Sequence, residues 1–241
     1  MQVMESAAQP TQYTTKETHA GAEHMISVLE RMRPEMKVQE LLVTGCGEAH
    51  EAEFLANRFG CKVKGIDIVL PEAARARSRE GLELIEGSAL DLPYESHSFD
   101  AIFSHHVIEH VGDHEKHLEE AARVLKPGGA FYVGTPNRHR IVGYIGAFTG
   151  SAAEKIKWNL QDYWDRLRGK FRNEHGAHAG FSQRELDELM KKYFAESHNI
   201  TADYFRFKYV SKMPGFALGF GLAKPIIDVS VPAVYSIGFK A

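Results

Sequence analysis

Between positions 105 and 110 the chain places His105, His106, Glu109 and His110, three imidazoles and a carboxylate in six residues. A histidine takes up and returns a proton near neutral pH, and as a general base it speeds a reaction by about 10² to 10⁴. His106 and His110 are therefore the candidate catalytic residues. The same stretch spells H-x-x-E-H, which on a helix would turn two histidines to one side with a glutamate beside them, as a zinc protease requires. Here it follows an apolar strand directly, which is not the context of that motif. A second group of residues suits a ligand rather than a proton. Gly45-Cys46-Gly47 follows the apolar run 41–44, and glycine lets the backbone come close to a bound molecule. Asp67 ends a second apolar run, 63–66, where a carboxylate accepts hydrogen bonds from a ribose diol. Together they read as a nucleoside site. The residue three beyond Gly47 is His50, so G-x-G-x-x-G is incomplete and a dinucleotide pyrophosphate is disfavoured.

These residues need elements that bring strand ends to one edge. Positions 51–59 carry Phe54, Leu55 and Phe59 at helical spacing, with Gly60 as a stop signal. Strands are predicted at 82–85, 101–104 and 130–133. Ser88-Ala89-Leu90 follows the first of these, and a helix at 113–125, closed by Pro127-Gly128-Gly129, precedes the last. A short helix with Pro71 in its first turn follows Asp67. Strands alternating with helices predict an α/β fold with a doubly wound, largely parallel sheet, whose ligands bind outside the carboxyl ends of its strands. An N-terminal helix at 16–32 is expected to lie near that edge. Tyr13, Lys16 and His19 are then available to the site, with solvation at the surface as the plainer reading.

At 241 residues, with 44% apolar and 25% charged side chains, the chain suits one soluble domain with an insertion. Its net charge of −3 offers no global field for nucleic acid. Two cysteines, Cys46 and Cys61, make no disulfide framework and fit a reducing, cytoplasmic compartment. The N-terminus lacks the pattern of a secretory signal, and no apolar run has the length of a membrane span.

Read in order, LLVTGCGEA, GIDI, ALDLPYESHSFDAI, VIEHVGD and RVLKPGGAFYV resemble the landmarks of class I S-adenosylmethionine-dependent methyltransferases acting on small molecules, over roughly residues 38–137. The resemblance implies a Rossmann-like sheet of seven strands whose last, within 231–241, is antiparallel, and S-adenosylmethionine as cofactor. It assigns Gly45, Cys46 and Gly47 to the methionine part, Asp67 with the adjoining Ile68 to the ribose, and Ser88, Ala89 and Leu90 to the adenine. Ser104, His105 and His106 become the edge facing sulfur and acceptor. Three positions depart from the family: Val43 replaces an acid, Ala49 replaces a third glycine, and Ser88 replaces an aspartate. The stretch 106–110 is also similar to ubiquinone-pathway O-methyltransferases, where E-x-x-E-H holds a divalent cation. With His106 in place of the first acid, a metal on Glu109 and His110 is the weaker reading, and His106 as base toward a lipophilic O-acceptor the preferred one. The competing readings are a nucleotide-dependent oxidoreductase and a binding module without catalysis.

The expected organisation is an N-terminal segment and cap helix at 1–36, a cofactor-binding core at 37–137, a helical substrate lid at 138–180 and the rest of the sheet at 181–241. In the lid, Ile141, Val142, Tyr144, Ile145 and Phe148 are read as an apolar cluster, followed by a basic and aromatic helix. Such a segment suits a lid or peripheral contact with a membrane surface. His175 and His178 close the insert, and Ser182 with Glu185 forms a capping box for the next helix. Phe216, Leu218, Phe220 and Leu222 are read as part of a loose crossover ahead of the last strand.

Overall fold

The computed structural model describes residues 19–144, 150–173, 179–211, 214–224 and 226–241. Tyr13, Lys16, Ile145, Phe148, His175 and His178, named above, lie outside the described residues.

Seven strands form one sheet: β1 (Glu40–Thr44), β2 (Lys62–Asp67), β3 (Leu82–Glu86), β4 (Phe99–His105), β5 (Leu125–Pro136), β6 (Glu196–Asn199) and β7 (Ala233–Phe239). Their order is β3-β2-β1-β4-β5-β7-β6. β1 to β5 are parallel, and β7 enters antiparallel between β5 and β6, as the resemblance implies. Register sets Thr44 beside Ile66 and Ser104, and His105 beside Gly134. The strand order reverses between β1 and β4, so the crevice expected at such a switch opens beside the residues after Thr44 and His105.

Alternation along each strand sorts two apolar layers. Leu41, Val43, Phe103 and Tyr132 pack under α1 (Ala20–Met32), α2 (His50–Phe59) and α7 (Thr201–Tyr209). Leu42, Ile102, Phe131 and Val133 pack under α4 (His114–Val124) and α6 (Gln183–Tyr193). Both helices of the second layer start on side-chain caps. Asp113 accepts from Lys116 N, and Ser182 with Glu185 makes the expected reciprocal box.

Some expectations are corrected. His19 is 4% exposed and stacks on Phe54 at 4.5 Å, because the start of α1 is packed inward and not solvated. The helix after Pro71 has a single turn, α3 (Glu72–Arg75), before Arg79 bridges to Leu82. Pro127-Gly128-Gly129 does not cap α4. It forms a bulge inside β5, where pairing with β4 slips between Phe99 and Ala101, and Gly128 donates to Lys240 O. The crossover after β6 is helical: α7 is followed by α8 (Gly215–Gly221) and α9 (Ile227–Ser230). Phe216 and Phe220 are thus four apart on a helix, and they are exposed. In the segment expected as a lid, α5 (Ala152–Leu167) forms behind a second capping box, Ser151 with Glu154, and Ile141 and Val142 are exposed.

Candidate active site

The glycine turn after β1 is shaped by backbone freedom and by β2. Gly45 and Gly47 have φ of +61° and +49°, and Ala49, fully buried, holds +64° where the family has glycine. Val43 is core, so no acid supports the turn from below. Asp67 does so from the side: Gly47 N donates to its Oδ2 at 2.7 Å, and Val69 N donates to Oδ1 at 3.2 Å. Cys46 N donates to Ile66 O at 3.2 Å. Burial and the Asp67 charge push the Cys46 thiol up to about 12, so it stays neutral inside the turn. A Cβ added at Gly47 would meet nothing within 4 Å, which leaves open space beside the carboxylate. Ile68 is 72% exposed next to it, an apolar face free to carry a flat ring. Thr44 Oγ1 is buried at the turn's entrance and finds no hydrogen-bond partner among the described residues.

The loop after β3 is held by α4. His117 is fully buried; Nδ1 lies 3.3 Å from Ala89 O and Nε2 lies 3.3 Å from Ser104 Oγ. Glu120 accepts from Leu92 N at 2.9 Å, and Arg123 donates to Leu92 O at 2.9 Å. Its hydrogen bond with Arg123 holds the Glu120 carboxyl down at about 2, keeping that clamp charged. Ser88 Oγ accepts from Leu90 N at 3.1 Å, so the loop is also braced from within. Ser104 was expected at the edge facing sulfur and acceptor. Its hydroxyl is buried against His117 instead, because position 104 points to the α4 side of the sheet.

His105 points to the opposite side and meets Tyr235 OH at 3.1 Å. Burial, helped by the charges of His106 and Lys208, keeps its pKa well below the ordinary value. The close meeting depends on Gly134, where a Cβ would come within 2.4 Å of the Tyr235 ring and 2.8 Å of His105. Gly134→Ala is expected to destabilise the fold by about 1 to 3 kcal/mol, read as a drop in melting temperature. An unchanged melting curve would mean that the two rings separate freely.

His106 turns the chain. Its φ of +58° is unusual for a residue with a Cβ, and its backbone N–H donates to Gly134 O at 2.8 Å. The stretch 106–110 is a turn and not a helix, so His106 and His110 do not present the spacing of the zinc motif. His106 Nδ1 instead meets Glu109 Oε1 at 3.1 Å. Glu109 is 2% exposed and also accepts from Thr135 Oγ1 at 3.0 Å. Burial works to raise its pKa; the His106 and Thr135 hydrogen bonds outweigh this and leave it below the usual carboxylate value. In the neutral tautomer whose Nδ1–H donates to Glu109, the His106 ring carries its lone pair on Nε2. Among the described residues there is no group of three or more histidine, cysteine or acidic side chains able to hold a metal ion.

A cavity of about 480 Å³ opens against this pair. His106, Glu109 and His110 form one side, and Tyr204, Phe205, Lys208 and Tyr209 of α7 form another. Tyr235, Arg140 and Tyr144 complete much of the rest. Val107 packs against Gly45, where a Cβ would come within 2.3 Å of its methyl, so the cavity and the glycine turn lie one residue apart. The structure therefore brings Gly45, Cys46, Gly47, Asp67 and Ile68 together, with His105, His106 and His110 beside them. The α7 residues were missed by sequence reasoning. Their signal was present, since Tyr204, Phe205, Lys208 and Tyr209 recur at helical spacing, but nothing local tied them to β4.

A methyltransferase domain family matches residues 42–133. A probable S-adenosylmethionine-dependent methyltransferase of Mycolicibacterium smegmatis is 34% identical over 46% of this chain and 43% of its own length. The chain thus spans under half of that relative. Sarcosine/dimethylglycine N-methyltransferase of Halorhodospira halochloris is 31% identical over 70% of this chain and 71% of its own length. Among solved structures, a phosphoethanolamine N-methyltransferase of Haemonchus contortus superposes with a TM-score of 0.55 at 22% identity, covering 95% of this chain and 58% of that one. That likeness is one of fold.

Proposed function

The chain belongs to the class I S-adenosylmethionine-dependent methyltransferases, and on that premise we propose that it methylates a small, lipophilic acceptor at oxygen with His106 as the base. The pairing of His106 with buried Glu109 on the wall of the cavity carries this reading. A phenol or alcohol acceptor must lose a proton as its oxygen becomes a nucleophile, and a neutral Nε2 fixed by a carboxylate on the other ring nitrogen is suited to take it. Tyr204, Phe205, Tyr209 and Tyr235 supply aromatic walls that favour a flat, apolar acceptor and exclude water.

The residues present fit the cofactor. The open space beside Gly47, the Asp67 carboxylate and the exposed Ile68 face suit a ribose and its base; in the loop after β3, Ala89 O and Leu90 N are engaged by His117 and Ser88, which leaves Ala89 N and Leu90 O as the backbone groups for reading the ring. When bound there, S-adenosylmethionine supplies a methyl carbon activated by a positively charged sulfur. The protein's own part is to hold the acceptor oxygen in line, which can contribute up to ~7 to 11 kcal/mol, and to remove its proton.

A second reading rests on Lys208, which brings positive charge into the cavity wall; Arg140, also in that wall, is already paired with Asp162. Lys208 suits a nitrogen acceptor that carries a carboxylate or phosphate, and the names of similar proteins include both N- and O-methyltransferases. A lipophilic acceptor would also be met at a membrane surface; no helix among the described residues is long and apolar enough to cross one.

Transfer of labelled methyl to a panel of phenols and of N-methylated amino acids tests the reading. Phenol methylation is expected; methylation of amines alone would overturn oxygen. Asp67→Ala is expected to raise the S-adenosylmethionine dissociation constant by roughly 10-fold to 150-fold, the value of a hydrogen bond to a charged group. Unchanged affinity by calorimetry would remove Asp67 from the site.

A further inference from the structure

Helix α5 turns a mostly polar face inward. Beside Trp158, which packs on Tyr144 with ring centroids 5.3 Å apart, Asn159 accepts from Gly143 N at 2.6 Å, and Asp162 accepts from Arg140 Nη2 at 2.6 Å and from Tyr144 OH at 3.1 Å. Its outer face is apolar. Ile156, Leu160, Trp164 and Leu167 are 62%, 64%, 53% and 82% exposed, and at 100° per residue they form one stripe. Tyr163, on the same stripe, donates through its hydroxyl to the carbonyl of Ile141, which adds another exposed apolar side chain. A helix that needed only its own domain would show the opposite arrangement.

We propose that this face docks on an anionic lipid surface. The protein carries a net charge of −3, so attraction to such a surface has to be local, and Lys157, Arg168 and Lys170 stand exposed along or just beyond the stripe. Arg168 lies over the Trp164 ring at 5.1 Å, and Trp and Tyr are the side chains suited to the headgroup boundary. The helix has 16 residues, about 24 Å at 1.5 Å each, too short to span and the right shape to lie in the interface. Pairing with a second copy through this stripe would bring the basic flanks of both helices together. The docked face of α5 holds Arg140 and Tyr144, which line the cavity, so docking sets the candidate acceptor site beside the lipid. That consequence rests on the proposed acceptor; the docking itself does not.

Co-sedimentation of the full chain with vesicles tests it, with no methyl donor or acceptor present, so failure of the proposed reaction leaves the result readable. Phosphatidylcholine vesicles with about one-third phosphatidylserine should bind the protein, and pure phosphatidylcholine vesicles should bind it far less. Lys157→Gln with Arg168→Gln is expected to weaken binding roughly 25-fold, about fivefold for each charge. Leu160→Ser with Leu167→Ser should weaken it at least about tenfold, with the melting temperature kept because both side chains are exposed. Absence of binding by the unmodified protein, or binding unaffected by either pair, overturns the proposal. Self-association that the leucine pair abolishes, without vesicle binding, also overturns it and gives the face to a second copy.

Discussion

His106→Asn is expected to lower turnover by about 10² to 10⁴ with affinity for S-adenosylmethionine retained. Asparagine is the informative choice because position 106 sits at φ +58°, a conformation that asparagine tolerates better than most side chains. Its amide can still donate to Glu109, so the buried carboxylate keeps a partner and the turn keeps its shape. What disappears is the Nε2 lone pair at the cavity wall. Loss of turnover with an unchanged melting temperature and unchanged cofactor binding would assign His106 to proton removal. Full activity in the variant would remove it as base. Glu109→Gln is the companion: it keeps the length of the side chain and removes the charge that orients the ring, so turnover should fall while the acceptor KM stays close to the original.

The second large effect is on stability in acid. His24 and His117 are 1% and 0% exposed, and burial pulls both pKa values from 6.5 down to about 4. At His24 the Asp203 carboxylate opposes this and Arg31 reinforces it; at His117 the bond to Ala89 O opposes it. In the unfolded chain each imidazole gains a proton as the pH falls through 6.5, whereas in the fold it resists until about 4. Within that window the unfolded state binds more protons, so stability drops as pH drops, by up to about 1.4 kcal/mol per pH unit for each histidine. Melting temperature is expected to be level above pH 7 and to fall steeply between about 6.5 and 4.5. His117→Asn, which can still donate to Ala89 O, should make that fall shallower. A melting temperature that stays flat down to pH 5 would show that neither ring is held neutral.

Much of this architecture was legible in the chain because it is written locally. The turn at Gly45 and Gly47, the acid ending β2, the stop at Gly60 and the capping box at Ser182 are each set by a few neighbouring residues and their backbone preferences. Hydrophobic runs with turns between them carried the succession of β1 to β5 along the chain. The histidine cluster was visible for the same reason. Its use was not, since a helix and a turn are both compatible with five residues, and only pairing of β4 with β5 directs His106 toward Glu109.

What the amino-acid sequence determined by itself was therefore the α/β class, the glycine turn with Asp67, and the resemblance to methyl-donor enzymes. Tertiary structure decided which face of β4 each residue serves: Ser104 to the α4 side with His117, and His105 to the side of Tyr235. It also brought α7, nearly one hundred residues downstream of His106, to form the cavity wall, and turned the polar face of α5 inward. Contacts between residues so far apart follow from how apolar layers close on a sheet, and local spacing carries no record of which distant partner each face will meet.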